Sequence, residues 1–322
     1  MTAAVSTQGL SKSFGAILAV DGLDLEIGEG EIFGLVGPNG AGKSTTLRML
    51  TTFLEPTAGE AQICGLDVRR QPHSVRRVIG YVPDTFGVYD DIRVWEYLDF
   101  FAQIYVTPAV RRRQLVGDLL QLVDLTTKRH AYVQTLSRGM QQRLCLAHAL
   151  VNDPRVLLLD EPASGLDPRA RAELRELLRE LRSMGKTIVI SSHILPELEE
   201  MCTAVAIIDR GRVLASGSVA QIQARLRRGS VVRARVLGSS DAWLAAQHWF
   251  AEQAEVASAA LMPDGRIELA LPGEDEATSA LLYRALQNGH RVLSFAPVAS
   301  DLEELFLQIT APPGAPSQVM DA

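Results

Sequence analysis

One run of residues in the sequence has the types and spacing needed to bind a phosphate. It lies between the apolar run Ile32–Val36 and a helical stretch that starts near Thr46. Its residues are Gly37, Pro38, Asn39, Gly40, Ala41, Gly42, Lys43, Ser44 and Thr45. Glycines let backbone N–H groups surround a phosphate, and the start of the following helix adds the positive end of its dipole. A glycine-rich turn without function is the alternative, but the strand before the run and the helix after it favour a phosphate loop.

Chemistry on a bound phosphate requires a cation, a metal ligand and a carboxylate. Lys43 can reach the β- and γ-phosphates, and the Ser44 hydroxyl can bind Mg²⁺. Asp160 and Glu161 follow the apolar run 156–159, at the end of a predicted buried strand, where ligands bind in open α/β sheets. We expect Asp160 to hold Mg²⁺ with Ser44, through water, and Glu161 to orient or deprotonate an attacking water. The alternative is an acidic pair that caps a helix.

Other residues lie where they could complete such a site. His193 follows the predicted buried strand Thr187–Ser192, and a histidine at this edge of the sheet can sense a γ-phosphate, whereas most lone histidines are structural. Ser137 is a good N-cap, and the helix that it starts has Gly139 in its first turn, which makes a second, weaker anion site. Phe14 precedes the phosphate loop at a distance where it could stack on a base, with a core phenylalanine as the alternative.

Length and composition suggest a soluble chain of about two domains. The 322 residues carry a formal net charge of −6, which gives no argument for nucleic acid. The cysteines Cys64, Cys145 and Cys202 are far apart and lack metal-ligand spacing, so we expect buried free thiols in a reducing compartment. The sequence shows no secretion signal and no apolar stretch long enough for a membrane-spanning helix. We therefore expect a cytoplasmic chain that acts at a membrane only through another subunit.

The order of predicted elements divides the chain into a domain over residues 1–220 and a smaller domain over 221–310. Aromatic residues are dense from 86 to 105, where a mainly helical subdomain at about 86–150 begins; they are either core or an exposed docking surface. The smaller domain has the order βαββαβ, a ferredoxin-like α+β pattern without a catalytic constellation. It is a packing or dimerising module, or a regulatory ligand site. Residues 311–322 are a predicted disordered tail.

These motifs together resemble the nucleotide-binding subunit of an ATP-binding cassette (ABC) transporter over roughly residues 5–220. The phosphate loop, the segment 136–140, the strand end at Asp160 and Glu161, the turn 164–167 and His193 occur in the family's order and spacing. The resemblance implies an α/β fold: a P-loop NTPase cassette with a mixed sheet core, an antiparallel β layer and a helical subdomain, to which the small ferredoxin-like domain is added.

The resemblance also implies how the site is assembled. Two cassettes pack head to tail around two ATP molecules with Mg²⁺, and each ATP lies between one subunit's phosphate loop and the other's signature helix. Ser137 and Gly139 would contact the γ-phosphate bound opposite, and Asp167 would couple the two sites. His193 would hold the γ-phosphate and the attacking water, and Phe14 matches the family's adenine-stacking position.

Two positions depart from the family's pattern. Asp84 stands where the family normally has glutamine, which links Mg²⁺ and water to the membrane subunit; an aspartate can still bind Mg²⁺ but is shorter and charged. The signature reads Ser-Arg-Gly-Met rather than Ser-Gly-Gly-Gln, so Arg138 adds positive charge near the shared site or faces solvent.

The function implied by the resemblance is that of an ATPase subunit that drives a separate integral membrane permease from the cytoplasmic face of the membrane. The second cassette is a copy of this chain or a close relative, and no nucleic acid is expected as a partner. The segment 302–307 of the C-terminal extension resembles the branch that exports drugs, lipids or polysaccharides. The rivals are a soluble ABC protein that acts on ribosomes or nucleic acid, and a module that binds ATP only as a switch.

Overall fold

The computed structural model describes residues 3–85, 87, 91–105, 108–194, 198–226, 230–271 and 275–297. Contacts between residues divide the chain into two compact units, Met1–Val219 and Ala220–Ala322. Phe86, Tyr89, the predicted helix at 302–307 and the predicted tail at 311–322 lie outside the described residues. In the part of the chain that is described, no helix is both long and apolar enough to cross a membrane.

The strands of the first unit form two sheets. They are β1 (Ala3–Phe14), β2 (Ile17–Gly28), β3 (Ile32–Val36), β4 (Ala58–Ile63), β5 (Leu66–Asp67), β6 (Ile79–Val82), β7 (Val156–Asp160), β8 (Thr187–Ser192), β9 (Ala204–Asp209) and β10 (Arg212–Ser218). One sheet has the order β2-β1-β4-β5 and is antiparallel, and the other has the order β10-β9-β3-β8-β7-β6. In the second sheet only the edge hairpin β9–β10 is antiparallel, so the predicted mixed sheet and antiparallel layer are confirmed.

The central parallel strands of the larger sheet position the residues that could do chemistry. Strands β3, β7 and β8 are buried along their whole length, as their largely apolar sequences predict. The phosphate loop follows β3, Glu161 follows β7 and His193 follows β8. Because the carboxyl ends of parallel strands meet at one edge of a sheet, these three segments lie side by side.

Helices cover the sheets and form the predicted helical insert. The helices of the first unit are α1 (Lys43–Leu50), α2 (Pro72–Val78), α3 (Val94–Tyr105), α4 (Ala109–Leu122), α5 (Arg138–Ala149) and α6 (Pro168–Ser183). The aromatic residues of α3 are partly buried and partly exposed. Tyr97 is buried and Phe101 stacks on His148, whereas Phe100 and Tyr105 are about half exposed.

A single buried apolar cluster joins the two sheets of the first unit. Leu10 of β1, Ile27 of β2, Leu35 of β3 and Leu47 of α1 are all members with no exposed surface. Burial of one such side chain contributes on the order of 1.5–3 kcal/mol. The cluster therefore fixes the strand before the phosphate loop and the helix after it in one rigid frame.

The second unit has the predicted ferredoxin-like order. Its elements are α7 (Val219–Leu226), β11 (Ser230–Val236), α8 (Ser240–Ala251), β12 (Ser258–Leu261), β13 (Arg266–Leu271), α9 (Asp275–Gln287) and β14 (Val292–Pro297). Helix α7 begins at the last residue of the first unit. The sheet has the order β12-β13-β11-β14 with all neighbours antiparallel. From β11 onward the elements follow the split βαββαβ pattern, which confirms the prediction.

The cysteines are free, and their burial differs. Cys145 is buried, and burial raises the pKa of the Cys202 thiol to about 12, as expected for a buried thiol. Cys64 is half-buried, so for this cysteine the expectation is wrong in degree. Burial raises the pKa of Cys145 to about 12, which keeps that thiol protonated and unreactive.

Phe250 should be a main source of stability in the second unit, because its ring is fully buried among Trp249, His290 and Phe295. We expect Phe250→Ala to lower the free energy of unfolding of this unit by about 3–5 kcal/mol. Denaturation followed by tryptophan fluorescence measures the change. The matched control is Tyr283→Ala, which removes a ring that is 63% exposed. Equal midpoints for the two variants would contradict the assignment.

Candidate nucleotide-binding and catalytic site

The phosphate loop has a backbone that leaves donors free for an anion. Gly42 has φ of +106°, and a Cβ at this position would lie 2.6 Å from the carbonyl oxygen of Ala19, so only glycine fits. It is the N-cap of α1, where no side chain caps the helix and no acidic residue lies in the first turn. Within the part of the chain that the structure describes, the first N–H groups of α1 therefore lack side-chain partners, and the helix dipole favours negative charge beside them.

Lys43 is held inside the loop by the loop's own carbonyl groups. Its Nζ donates to the carbonyl oxygens of Gly37, at 2.7 Å, and Pro38, at 3.2 Å. The same atom lies 3.4 Å from Oε1 of Glu161, and the Lys43 side chain is only 5% exposed. A buried ammonium group needs such partners, and here they hold the charge at the place where a phosphate would enter.

Asp160 is a fully buried carboxylate with one satisfied and one unsatisfied oxygen. Its Oδ1 accepts hydrogen bonds from the Ser44 hydroxyl, at 2.9 Å, and from the Ser191 hydroxyl, at 2.6 Å. Its Oδ2 is buried and has no hydrogen-bond partner among the described residues. Burial raises the pKa of Asp160 above its usual value, the hydrogen bonds from Ser191 and Ser44 oppose the rise, and the charge of Asp84 adds to it. A carboxylate oxygen without a partner, next to a hydroxyl, suits a hard cation.

Glu161 has a strained backbone and two side-chain partners. Its φ of +50° is uncommon for a residue with a side chain, and such strain is found most often at functional sites. Its N–H donates to the Ser191 hydroxyl at 2.9 Å, which steadies this conformation. Its Oε2 lies 2.8 Å from Nδ1 of His193, and Oε1 faces Lys43. The carboxylate is thus held between an imidazole and an ammonium group.

Lys43 and Glu161 line one open cleft of about 550 Å³, a size that suits a small-molecule ligand, whereas the fully buried Asp160 lies outside its lining. The cleft is lined by Ala19, Asn39, Gly40, Ala41, Gly42, Lys43, Ser44, Thr45, Asp84, Thr85, Arg138, Glu161, Ser164 and His193. Asp84 lies in this lining, and its Oδ1 accepts a hydrogen bond from the backbone N–H of Thr85 at 2.7 Å. The structure therefore brings the phosphate loop, Glu161, His193 and Asp84 together, as the sequence predicts.

Three other predicted residues lie at a second cleft of about 450 Å³. Ser137, Gly139 and Asp167 are part of its lining. The Ser137 hydroxyl caps α5 by accepting from the backbone N–H of Met140 at 3.4 Å, which confirms the predicted N-cap. The Asp167 carboxylate caps α6 by accepting from two backbone N–H groups. Within one chain, these residues do not line the phosphate-loop cleft.

Phe14 lies at the tip of the β1–β2 hairpin, outside the lining of both clefts. Its side chain is 49% exposed, so the alternative of a core phenylalanine is wrong. The amino group of Lys12 lies 5.3 Å from the centre of its ring. The same hairpin supplies Ala19 to the phosphate-loop cleft, which places an exposed aromatic ring on an element that borders the site.

Comparison with known proteins identifies the family. The family model described as the ABC transporter matches residues 20–164. The Nod factor export ATP-binding protein I of Ralstonia nicotianae is 43% identical over 216 residues, which are 67% of this chain and 67% of that protein. This chain belongs to the ABC transporter family. The clefts and side chains described above are therefore those of an ABC family member.

Solved ABC cassettes share the fold. A structure of an ATP-binding subunit of an ABC transporter aligns with a TM-score of 0.63 at 30% identity, covering 70% of this chain and 94% of that one. A dimeric ATP-binding cassette in a post-hydrolysis state, bound to ADP and Pi, aligns with a TM-score of 0.61 at 27% identity, covering 67% and 98%. These likenesses confirm the predicted P-loop cassette.

Sequence reasoning missed the part that Ser191 plays in this ABC cassette. Its hydroxyl donates to Asp160 and accepts from the backbone of Glu161, so one side chain positions both carboxylate residues. Ser191 is completely buried. The available signal was a serine near the carboxyl end of an otherwise apolar buried strand, where a hydroxyl must find a partner.

The buried charge of Asp160 should reduce the stability of the nucleotide-free cassette at neutral pH. A raised pKa means that the folded chain binds the proton more tightly than the unfolded chain. Protonation of Asp160 therefore stabilises the folded chain. This contribution is fully present at pH values below the usual aspartate pKa and is lost as pH rises through the raised pKa of Asp160. We expect Asp160→Asn, which cannot ionise, to have the higher Tm at neutral pH.

Thermal unfolding in EDTA, without nucleotide, across acidic to neutral pH measures this difference in Tm. It should grow as pH rises. The control is Asp118→Asn, at an exposed position on α4, which should change Tm little at any pH. A Tm of Asp160→Asn that falls below that of the unaltered chain as pH rises would contradict the account.

Proposed function

We propose that this chain is the ATPase subunit of an exporter-type transporter and drives a separate membrane permease from the cytoplasmic face of the membrane. The observation that carries the proposal is that Lys43, Glu161 and His193 line one cleft beside the phosphate loop. The printed name of the relative from Ralstonia nicotianae, an ATP-binding protein of Nod factor export, supports export as the direction. The molecule exported is amphipathic or hydrophobic: a drug, a lipid or a polysaccharide.

The phosphate loop, the ammonium group of Lys43 and Mg²⁺ would together hold ATP. The N–H groups at the start of α1 and the ammonium group of Lys43 bind the β- and γ-phosphates. The Ser44 hydroxyl and Asp160, through water, are the groups that would hold Mg²⁺, and the unpartnered Oδ2 of Asp160 supports this fit. Mg²⁺, when bound, neutralises charge on the phosphate oxygens. Phe14 provides a face on which the adenine stacks.

Hydrolysis transfers the γ-phosphoryl group to water, with ADP and phosphate as products. Glu161 orients the attacking water and accepts its proton. His193, 2.8 Å from the Glu161 carboxylate, holds that carboxylate in place and contacts the γ-phosphate. The contact from the Ser191 hydroxyl keeps the backbone of Glu161 in the conformation that aims its side chain into the cleft.

The working unit contains two cassettes. Ser137 and Gly139 of one subunit contact the γ-phosphate bound by the other, and Asp167 couples the two sites across the interface. Two observations support this arrangement: these residues line a cleft of their own rather than the phosphate-loop cleft, and a solved relative is a dimeric cassette bound to ADP and Pi. The second cassette is another copy of this chain or a close relative.

Glu161→Gln should abolish steady ATP hydrolysis and leave ATP binding intact, because the amide cannot accept the proton and the loop is unchanged. We expect kcat to fall by about 10²- to 10⁴-fold. The control is Glu176→Gln, whose carboxylate is exposed and pairs with Arg179 on α6. Phosphate release and binding of a fluorescent ATP analogue measure the two quantities. An unchanged ATPase rate would refute the role of Glu161 and favour a nucleotide switch.

Asp84→Ala should reduce the coupling of ATP hydrolysis to the permease more than it reduces ATP affinity. Asp84 lines the cleft, but its carboxylate contacts Thr85 and does not bond to Lys43 or Ser44. The measurement compares ATP affinity with the rise in ATPase rate that the permease causes in reconstituted vesicles. Equal losses of both would mean that Asp84 serves mainly as a metal ligand.

A further inference from the structure

Arg138 carries a positive charge at a position where that charge does not stabilise the helix. It is the first residue of α5, directly after the N-cap Ser137, and a positive charge in the first turn opposes the helix dipole. Its side chain lines the phosphate-loop cleft, to which Ser164 also belongs, and the second cleft described above, to which Asp167 also belongs. The sequence predicts that its charge lies near the shared site or faces solvent, and in the structure Arg138 is exposed and lines the phosphate-loop cleft.

The guanidinium group of Arg138 lies directly against the backbone of Gly165. A Cβ at Gly165 would lie 2.7 Å from the guanidinium carbon and 2.7 Å from one of its nitrogens, so a side chain at this position would make the guanidinium group move away. The start of α5 also packs near the start of α6, since a Cβ at Gly139 would lie 3.0 Å from Cβ of Ala170. Within the described ranges, Arg138 forms no ion pair, so packing on Gly165 is the contact that accounts for its position.

Gly165 belongs to a turn that begins at the proposed general base. The N–H of Ser164 donates to the carbonyl oxygen of Glu161 at 3.1 Å, and the N–H of Leu166 donates to that of Ala163 at 3.2 Å. The turn ends at Asp167, whose carboxylate caps α6. A side chain that holds Gly165 therefore acts on the same short segment that carries Glu161.

We propose that Arg138 is a positioning residue for hydrolysis, which holds the turn 164–167 of its own chain against the start of the signature helix. This proposal rests on the proposed ATPase function. Arg138 acts through Gly165 and leaves binding of ATP to Lys43 and the phosphate loop unchanged. Loss of the contact frees the turn and with it the aim of Glu161, so the expected effect is on kcat and not on KM.

Two single variants break the contact from opposite sides. Arg138→Ala removes the guanidinium group, and Gly165→Ala displaces it with a methyl group. Each should lower kcat for ATP by about three- to thirtyfold with KM unchanged. The double variant should be no worse than the poorer single variant, because both changes remove one interaction. Arg138→Lys should resemble Arg138→Ala, since lysine keeps the charge but lacks the planar group that covers the peptide.

Matched controls separate the contact from general effects. Gly185→Ala introduces the same kind of backbone strain, at φ of +86° just beyond α6, but has no atom within 4 Å of the new Cβ. Arg113→Ala removes an exposed arginine from α4. Both controls should leave kcat close to that of the unaltered chain. Circular dichroism and Tm of all variants establish that the chains are folded.

Four results would overturn the proposal. A rise in KM with kcat unchanged would mean that Arg138 binds the nucleotide itself. If the losses in kcat multiply in the double variant, the two residues act independently. If Gly165→Ala and Gly185→Ala lower kcat equally, backbone strain alone explains the loss caused by Gly165→Ala. If Glu161→Gln abolishes hydrolysis while Arg138→Ala does not change it, the ATPase function stands and only this proposal fails.

Discussion

The site depends on the burial of one carboxylate. Asp160 has no exposed surface, and an ionised group in that position is unfavourable unless it is hydrogen-bonded or paired. Hydroxyl groups from two other elements, Ser44 of α1 and Ser191 of β8, provide that support on one oxygen. The parallel strands and α1 must therefore converge at one point, and this convergence also places the phosphate loop beside Glu161. The second oxygen remains for the cation that we propose.

Nucleotide binding also affects Glu161, the proposed general base. Lys43 lies 3.4 Å from Glu161, so an entering phosphate and the carboxylate compete for the same ammonium group. His193 lies on the other side of the Glu161 carboxylate, and in the proposed site this contact would keep the carboxylate in the cleft when Lys43 pairs with the phosphate. Arrival of ATP thus changes the partners of the residue that must act on water, within a frame that the buried cluster around α1 holds still.

The phosphate loop, Glu161 and His193 could be predicted from the sequence as neighbours because each lies next to a strongly patterned element. The phosphate loop is a continuous run, and Glu161 and His193 directly follow apolar strands, so parallel topology alone brings them together. The βαββαβ order could likewise be read from local patterns. Contacts between distant segments could not: a serine within β8 gives no sign of its partners, and nothing near Arg138 in the sequence indicates its contact with Gly165. Such packing is decided only in three dimensions.

The central claim is that this ABC cassette powers a permease, and recovery of that permease is its most direct test. The tagged chain would be affinity-purified from detergent-solubilised membranes, and the co-purified proteins identified by mass spectrometry and quantified. The account predicts a multi-spanning membrane protein in stoichiometric amount, with the chain in the membrane fraction. A chain found wholly in the soluble fraction, with ribosomal proteins or no protein bound to it, would contradict the account.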